Sequence, residues 1–296
     1  MTASRLQLAA GVGCVLAYTL LATAADGVTK HIAGLFAAPQ MYFFSGLVVM
    51  ALAVAVNRAR ARPQSLAIAQ PRLMALRCVM TVSSAVGYFY AFRLLPFAEV
   101  FLFVGLMPLI SGLLSGPVLG ERVSPRAWAA LALGFVGVLA LFPEGLGAVG
   151  PGHLVALAAA TAGTGSMVLA RKFALREDNA FAQLFYPNLA LSMAMGLALP
   201  LVYKPMALAD LGWIAGYGAF LFAARFCLVH ALTWMAAYVV TPLINLQFVW
   251  MVLLGVVLFG EHPTAQLYVG VTIVIASGLA LVLESIPLPG RRMRPV

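Results

Sequence analysis

Charged side chains are scarce in this chain of 296 residues: they make up 9% of it, whereas hydrophobic residues make up 63%. A soluble domain carries about 25% charged residues, so a chain this poor in charge cannot cover a surface that faces water. The mean hydropathy of +1.01 points the same way. The composition therefore excludes a soluble globular protein and predicts an integral membrane protein.

Cysteine is also rare, and the three that occur, Cys14, Cys78 and Cys227, lie inside apolar runs. They are expected to be small buried residues and not disulfides or metal ligands. No pair among the four histidines has metal-ligand spacing, and no cluster of His, Asp or Glu is visible. The sequence thus predicts no metal, no cofactor and no catalytic centre, and it argues against an enzyme.

Long apolar runs fill almost the whole chain, separated by proline, Gly-Glu and arginine-rich breaks. A helix that spans a membrane needs roughly 17–25 apolar residues. We predict an all-α membrane protein with ten spans, at 6–29, 38–57, 73–94, 97–119, 126–142, 151–173, 180–202, 211–235, 239–259 and 265–284. The first run could instead be a cleavable signal peptide, but it is long for an apolar region of roughly 7–15 residues.

The basic residues are distributed unevenly between the two sides of these spans. Of the 18 Lys and Arg residues, only Lys30, Arg93 and Lys204 fall on the side opposite the N-terminus, and Arg225 lies within a span. The positive-inside rule then places both termini in the cytoplasm of a bacterial-type inner membrane. Topology and anionic lipid account for the net charge of +9, so the bilayer and not nucleic acid is the expected partner.

One sequence joint occurs twice, as GPVLGERVSPRAW at 116–128 and VVLFGEHPTAQLY at 256–268. Each joint ends an apolar run with Gly-Glu and enters another run after a proline. Glu121 and Glu261 lie 140 residues apart, which divides the chain into two five-span repeats at 1–146 and 147–296. Because five is odd, the second repeat enters the membrane from the opposite side, as in many secondary transporters. The two glutamates are expected to be structural residues of these joints.

The segment at 108–141, with the Gly-Glu joints and the five-plus-five layout, resembles the EamA-type drug/metabolite transporter superfamily. In length and layout the chain is most similar to amino-acid exporters of the YddG type. The second copy departs from the pattern, because Phe248 stands in the place of Pro108 and its proline comes earlier, at Pro242. The resemblance implies export of amino acids or other small metabolites, and in other branches transport of nucleotide-sugars or sugar phosphates.

Polar residues form stripes at helical spacing on spans one, three and nine. These stripes are Thr19, Thr23, Asp26 and Lys30; Arg77, Thr81, Ser84 and Tyr88; and Tyr238, Thr241, Asn245 and Phe248. They predict a polar cavity between the three spans, with the alternative that the hydroxyls bond their own backbone or join helices. The predicted substrate-binding residues are Thr19, Thr23, Thr81, Ser84, Tyr88, Arg225, Asn245 and Trp250.

Arg225 is the most informative of these residues, because a central arginine costs at least about 2.5 kcal/mol to insert into a membrane. It is expected to bind a substrate carboxylate or, as an alternative, to form an ion pair that holds two helices together. Candidate gating residues are the small and helix-breaking ones, Gly112, Gly116, Pro108, Pro117 and Pro242. Gly112 and Gly116 could equally form a passive packing seam.

The inverted repeat predicts a secondary transporter that works by alternating access, and the resemblance implies that it exports small metabolites, with amino acids as the leading class. An antiporter of nucleotide-sugars or sugar phosphates is the alternative, and it requires several cations at the site, of which the sequence places one deep in a span. A membrane transferase would require an acidic or histidine cluster. No carboxylate lies at mid-depth, which favours facilitated diffusion or exchange over proton coupling.

Overall fold

The computed structural model describes residues 5–32, 35–95, 103–140, 150–177, 179–250, 253 and 265–285, which are helical apart from short connections. The helices are α1 (Arg5–Ile32), α2 (Ala38–Arg58), α3 (Pro71–Leu94), α4 (Phe103–Leu119), α5 (Pro125–Ala140), α6 (Pro151–Ala174), α7 (Ala180–Val202), α8 (Leu208–Trp234), α9 (Ala237–Trp250) and α10 (Ala265–Ser285). Six of them, α1, α2, α3, α6, α7 and α8, are long and apolar enough to cross a membrane. Each helix corresponds to one predicted span, so the all-α fold class is confirmed.

The helix starts explain small differences from the predicted bounds. Prolines occupy the first turn of α2, α3 and α6, where a missing N–H costs nothing and the fixed φ suits a helix. For this reason α3 begins at Pro71. Helix α8 begins at Leu208, because the Asp210 carboxylate accepts the N–H of Ala207 at 2.9 Å and caps its first turn.

Helices α4 and α9 are irregular where the sequence has proline, as predicted. The regular part of α4 (Met107–Leu114) widens into a π-helical turn at Ser115–Leu119, which contains Pro117. That turn ends at Gly120, whose φ of 73° is the left-handed conformation that glycine adopts most easily. In α9 the regular helix that contains Pro242 ends at Ile244, and a turn precedes residues 247–250.

The contacts between helices have twofold symmetry that exchanges each helix with the one five places later. Helix α1 packs on α8, and correspondingly α6 packs on α3. The pairs α2–α7, α4–α9 and α5–α10 map onto themselves. Since each repeat holds five helices, this pairing confirms the two inverted five-helix repeats.

Backbone geometry supports the same repeat. Leu95 after α3 and Met235 after α8 have φ/ψ of −128°/151° and −122°/145°. Their N–H groups donate to Ala91 and Ala231, and both of these alanines are completely buried. These positions differ by 140 residues, the spacing found in the sequence.

Small residues allow the paired helices to approach closely. In the α3–α6 pair, a Cβ at Gly87 would lie 2.8 Å from the Cβ of Ala159. In the α5–α10 pair, a Cβ at Gly134 would lie 2.5 Å from Oγ of Ser277, whose hydroxyl donates to the Ala130 carbonyl at 2.6 Å. At these two positions, helices of the two halves are therefore in direct contact.

One end of the bundle carries most of the described arginines. We call it the basic end, and define it as the ends of α2, α4, α6 and α8 with the starts of α3, α5 and α7. It carries Arg58, Arg72, Arg122, Arg126, Arg171 and Arg176. Hydrogen bonds bring these termini together, for example from Arg176 to Gln70 at 2.9 Å and from Asn179 to the Ser65 carbonyl at 2.7 Å.

Candidate substrate site

Arg225 lies on α8, nine residues from its end and hence about 14 Å from the basic end. Its Nη1 donates to Oδ1 of Asn188 on α7. Asn188 is itself held in place, because its amide donates to the Leu184 carbonyl at 2.6 Å. A neutral amide orients the guanidinium without neutralising it, so this contact leaves the positive charge of Arg225 available.

Arg77 on α3 is a second arginine of this region, one that the sequence analysis assigned to a polar stripe but not to the site. It lies six residues, about 9 Å, into its helix from the basic end. Its Nη1 donates to both the backbone carbonyl and the side-chain Oε1 of Gln183, each at 3.0 Å. Its buried Nε has no hydrogen-bond partner among the described residues. The stripe it shares with Thr81 was the signal that could have identified it.

Arg77 and Arg225 both bond side chains of α7, those of Gln183 and Asn188. We call these two residues the arginine pair. Among the described acidic side chains, Glu121 bonds Arg171, Glu177 accepts the N–H of Ala69, and Asp210 accepts that of Ala207. In the described part of the chain, therefore, no carboxylate neutralises the arginine pair.

A second polar contact joins α1 to α9 near the middle of the bundle. The indole Nε1 of Trp250 donates to Oγ1 of Thr19 at 3.0 Å, and Thr19 is completely buried. Thr19 donates in turn to the Leu16 carbonyl, and Thr23 donates to the Thr19 carbonyl, each at 2.8 Å. The structure thus brings spans one and nine together, and a polar cavity that also includes span three stays a prediction.

Thr81 and Ser84 lie where α3 packs against α6. The Thr81 hydroxyl is 2.7 Å from that of Ser166 and donates to the Arg77 carbonyl at 2.9 Å. Ser84 packs against Gly163, where an added Cβ would lie 2.7 Å from its Oγ. These contacts match the alternative interpretation, in which the hydroxyls join helices. Whether either residue also meets substrate stays a prediction.

The other predicted binding residues lie in separate places. Tyr88 packs in a cluster with Phe103 of α4 and with Ala156 and Ala160 of α6. Asn245 is 4% exposed and lies at the break in α9, where its N–H donates to the Pro242 carbonyl. The contacts of the predicted residues therefore lie at several different helix interfaces.

The candidate gating residues of α4 differ in their surroundings. Gly112 packs against α5, where an added Cβ would lie 3.0 Å from Leu131 and 3.3 Å from Trp128. Gly116 has nothing within 4 Å of such an atom. Pro108 is buried in the first turn of the regular helix. Gly112 is thus a packing position, and gating by any of these residues stays a prediction.

The first Gly-Glu joint is held by an ion pair at the basic end. Nε of Arg171 on α6 donates to Oε1 of Glu121 at 3.2 Å. Nη1 of Arg171 also donates to the carbonyls of Leu232 and Thr233 at 2.7 and 2.9 Å, in the last turn of α8. One guanidinium therefore joins the ends of α4, α6 and α8, which agrees with a structural role for Glu121. Glu261 lies outside the described residues.

Two apolar grooves of about 520 and 430 Å³ lie between α2 and α7. Residues such as Leu47, Met50 and Leu189 line both grooves, and Arg58 and Ser192 are their polar exceptions. They offer little that could orient a charged solute. No group of three or more His, Cys, Asp or Glu side chains suited to a metal occurs among the described residues.

Comparison with known proteins agrees with this architecture. The EamA-like transporter family matches the chain twice, over residues 6–142 and 150–283. One crystal structure of another protein superposes with a TM-score of 0.78, covering 95% of this chain and 98% of that one. At 20% identity this likeness concerns the fold alone. No curated protein sequence matches the chain.

Proposed function

Since the chain belongs to the EamA-like transporter family, we propose that it exports small carboxylate-bearing metabolites, with amino acids as the leading class. The observation that carries the proposal is Arg225, a guanidinium deep in the bundle that the Asn188 amide orients. A planar guanidinium binds a carboxylate through two parallel hydrogen bonds, which supplies both attraction and orientation. The amino-acid class rests on the likeness in length and layout to amino-acid exporters.

Transport would proceed by alternating access of the inverted halves. The paired helices α1–α8 and α6–α3 are equivalent under the symmetry, so the same relative movement can open either face. The hydrogen bond between Trp250 and Thr19 lies between the two ends of the bundle. We propose that the solute passes this region. In this scheme Arg225 holds the solute while the halves move around it.

We propose that the protein lies in a bacterial-type inner membrane with the basic end and both termini in the cytoplasm. The positive-inside rule supports this orientation, because the basic end carries Arg58, Arg72, Arg126 and Arg171. Reporter fusions at the N- and C-terminus that are active only in the cytoplasm should both be active. Activity of only one of the two fusions would contradict the orientation.

The test of the substrate class is solute flux into proteoliposomes that contain the purified protein. Labelled threonine, methionine and phenylalanine are supplied with and without a pH gradient, and the wild type is compared with Arg225→Ala. The matched control is Arg176→Ala, which removes an exposed arginine that, like Arg225, bonds an uncharged amide side chain. We expect saturable flux in the wild type and the control, and its loss in Arg225→Ala.

The gradient separates the coupling mechanisms. Flux that does not change with the gradient would support facilitated diffusion or exchange. If no amino acid is transported by a folded wild type, the amino-acid class is wrong, and nucleotide-sugars and sugar phosphates are the next panel.

A further inference from the structure

The two apolar grooves between α2 and α7 are not used by the proposed transport. They share Leu47, Met50 and Leu189, so they form one continuous depression along the helix pair, which we call the α2–α7 groove. Ala51 is among its lining residues, and small side chains of this kind leave space between larger ones. Its large apolar side chains are exposed, Leu197 by 85%, so the groove faces the hydrocarbon of the membrane.

The α2 side of the groove is a single helix face that ends in an arginine. Its residues form two neighbouring rows with a spacing of four, which are Leu47, Ala51 and Ala55 beside Met50, Val54 and Arg58. Arg58 is exposed and is the last residue of α2. The 21 residues of α2 span about 31 Å, close to the thickness of about 30 Å of the hydrocarbon core. Arg58 therefore lies at the depth of the lipid headgroups, at the basic end.

A second arginine lies at the same end of the groove. The guanidinium carbon of Arg60 is 5.4 Å from the centre of the Phe181 ring, one turn along α7 from Phe185, which lines the groove. A guanidinium on an aromatic face keeps the N–H groups at its edge for an anion. Neither Arg58 nor Arg60 forms an ion pair with another described residue.

Positive charge occurs at only one end of the groove. Among the described residues that line its second part, from Phe43 to Met50 on α2 and from Leu189 to Leu197 on α7, none is charged. The first part runs from Arg58 to Leu47, eleven residues and hence roughly 16 Å. That length matches one leaflet of the hydrocarbon core, which is about 15 Å deep. The groove thus offers an apolar seat of one leaflet's depth below two cations.

We infer that the α2–α7 groove binds one anionic phospholipid from the leaflet at the basic end. One acyl chain lies against the face of α2 that carries Leu47 and Ala51, and the phosphate lies between Arg58 and Arg60. A tail that enters the groove exchanges one hydrocarbon environment for another, so the headgroup has to supply most of the selectivity. The two arginines repel the ammonium group of a zwitterionic lipid, and they attract a headgroup whose only charge is its phosphate.

The experiment is native mass spectrometry of the purified full-length protein, stripped of lipid in detergent and then titrated. The probes are phosphatidylglycerol and phosphatidylethanolamine with identical acyl chains. The variants are Arg58→Gln, Arg58→Lys and Ala51→Phe, which fills the groove without a change of charge. The matched controls are Arg176→Gln at the basic end and Ala132→Phe at an exposed position of α5.

We expect the wild type and both controls to bind one phosphatidylglycerol more tightly than phosphatidylethanolamine. Arg58→Gln should weaken binding of phosphatidylglycerol by about fivefold, the usual contribution of one arginine near a membrane surface. Arg58→Lys keeps the charge, so it should retain most of the affinity, and it serves as the test if Arg58→Gln does not fold. Ala51→Phe should weaken binding by about fivefold or more, because the new ring occupies the place of the acyl chain.

Three results would overturn the inference. The first is equal affinity of the folded wild type for both lipids, or an affinity for phosphatidylglycerol that Arg58→Gln leaves unchanged. The second is binding that requires Arg58 but not an open groove, so that Ala51→Phe has no effect. The third is a dimeric wild type that Ala51→Phe converts to a monomer, because a second copy of the chain would then cover the groove. None of these results depends on solute flux, so the proposed function is tested separately.

Discussion

The ion pair between Arg171 and Glu121 provides a sharp test of how the basic end is held together. The predicted perturbation is Arg171→Gln, which removes one charge and three hydrogen bonds: 3.2 Å to Glu121 and 2.7 and 2.9 Å to the carbonyls of Leu232 and Thr233. The side chains of Arg171 and Glu121 are only 12% and 21% exposed. Water therefore cannot fully replace the lost partner.

The magnitude follows from these contacts. Removing one partner of a buried ion pair costs about 3–5 kcal/mol, because the other charge stays buried without compensation. Because both groups are partly exposed, we expect Arg171→Gln to lower the free energy of unfolding by about 3 kcal/mol, the lower end of this range. Glu121→Gln should cost about 1 kcal/mol, since Arg171 keeps its two carbonyl bonds. The exposed control Arg176→Gln should stay within about 0.5 kcal/mol of the wild type.

The assay is equilibrium unfolding of the purified variants in mixed micelles of SDS and a mild detergent. The double variant should lose less than the sum of the single losses, because both substitutions break the same ion pair. A loss below about 0.5 kcal/mol for Arg171→Gln would refute the reasoning. Strict additivity would refute the pairing with Glu121 while leaving the carbonyl contacts possible.

Two further predictions follow from other contacts. In the same unfolding assay, Gly87→Ala should lower the free energy of unfolding by about 1–3 kcal/mol, because the new Cβ would collide with Ala159. The control Gly13→Ala should be neutral or slightly stabilising, because nothing lies within 4 Å of its new Cβ. Trp250→Phe and Thr19→Val should each lower the free energy of unfolding by about 1 kcal/mol, because each removes the hydrogen bond between the two side chains. The double variant should lose less than the sum of the two, and additive losses would contradict that bond.

The fold could be predicted well because its determinants are local or repetitive. Apolar length defines each span, and prolines such as Pro71 and Pro117 mark where a helix starts or becomes irregular. The spacing between Glu121 and Glu261 revealed the repeat, and an odd number of spans made it inverted. Pairing of the helices was then constrained by symmetry, as the equivalent α1–α8 and α3–α6 contacts illustrate.

The site was predicted only in part. Arg225 was identified because charge within a span is conspicuous in any apolar run. Thr81 and Ser84 were identified by their helical spacing on a polar stripe, yet the structure places their hydroxyls between α3 and α6, where helix association accounts for them. A stripe at helical spacing reveals that residues share a face, but it does not reveal what that face meets.

The sequence by itself determined that the protein lies in a membrane, and it determined the spans, the repeat and the deep position of Arg225. Each of these depends on composition or on order along the chain. Only the tertiary structure decided that Arg77 bonds Gln183 and that Arg225 bonds Asn188, both on α7. It also decided that Arg171 joins Glu121 to the end of α8. These contacts join residues far apart in the chain, and they depend on which helix faces pack together. Such packing cannot be derived from one helix alone, because it depends on the surfaces of both helices that meet.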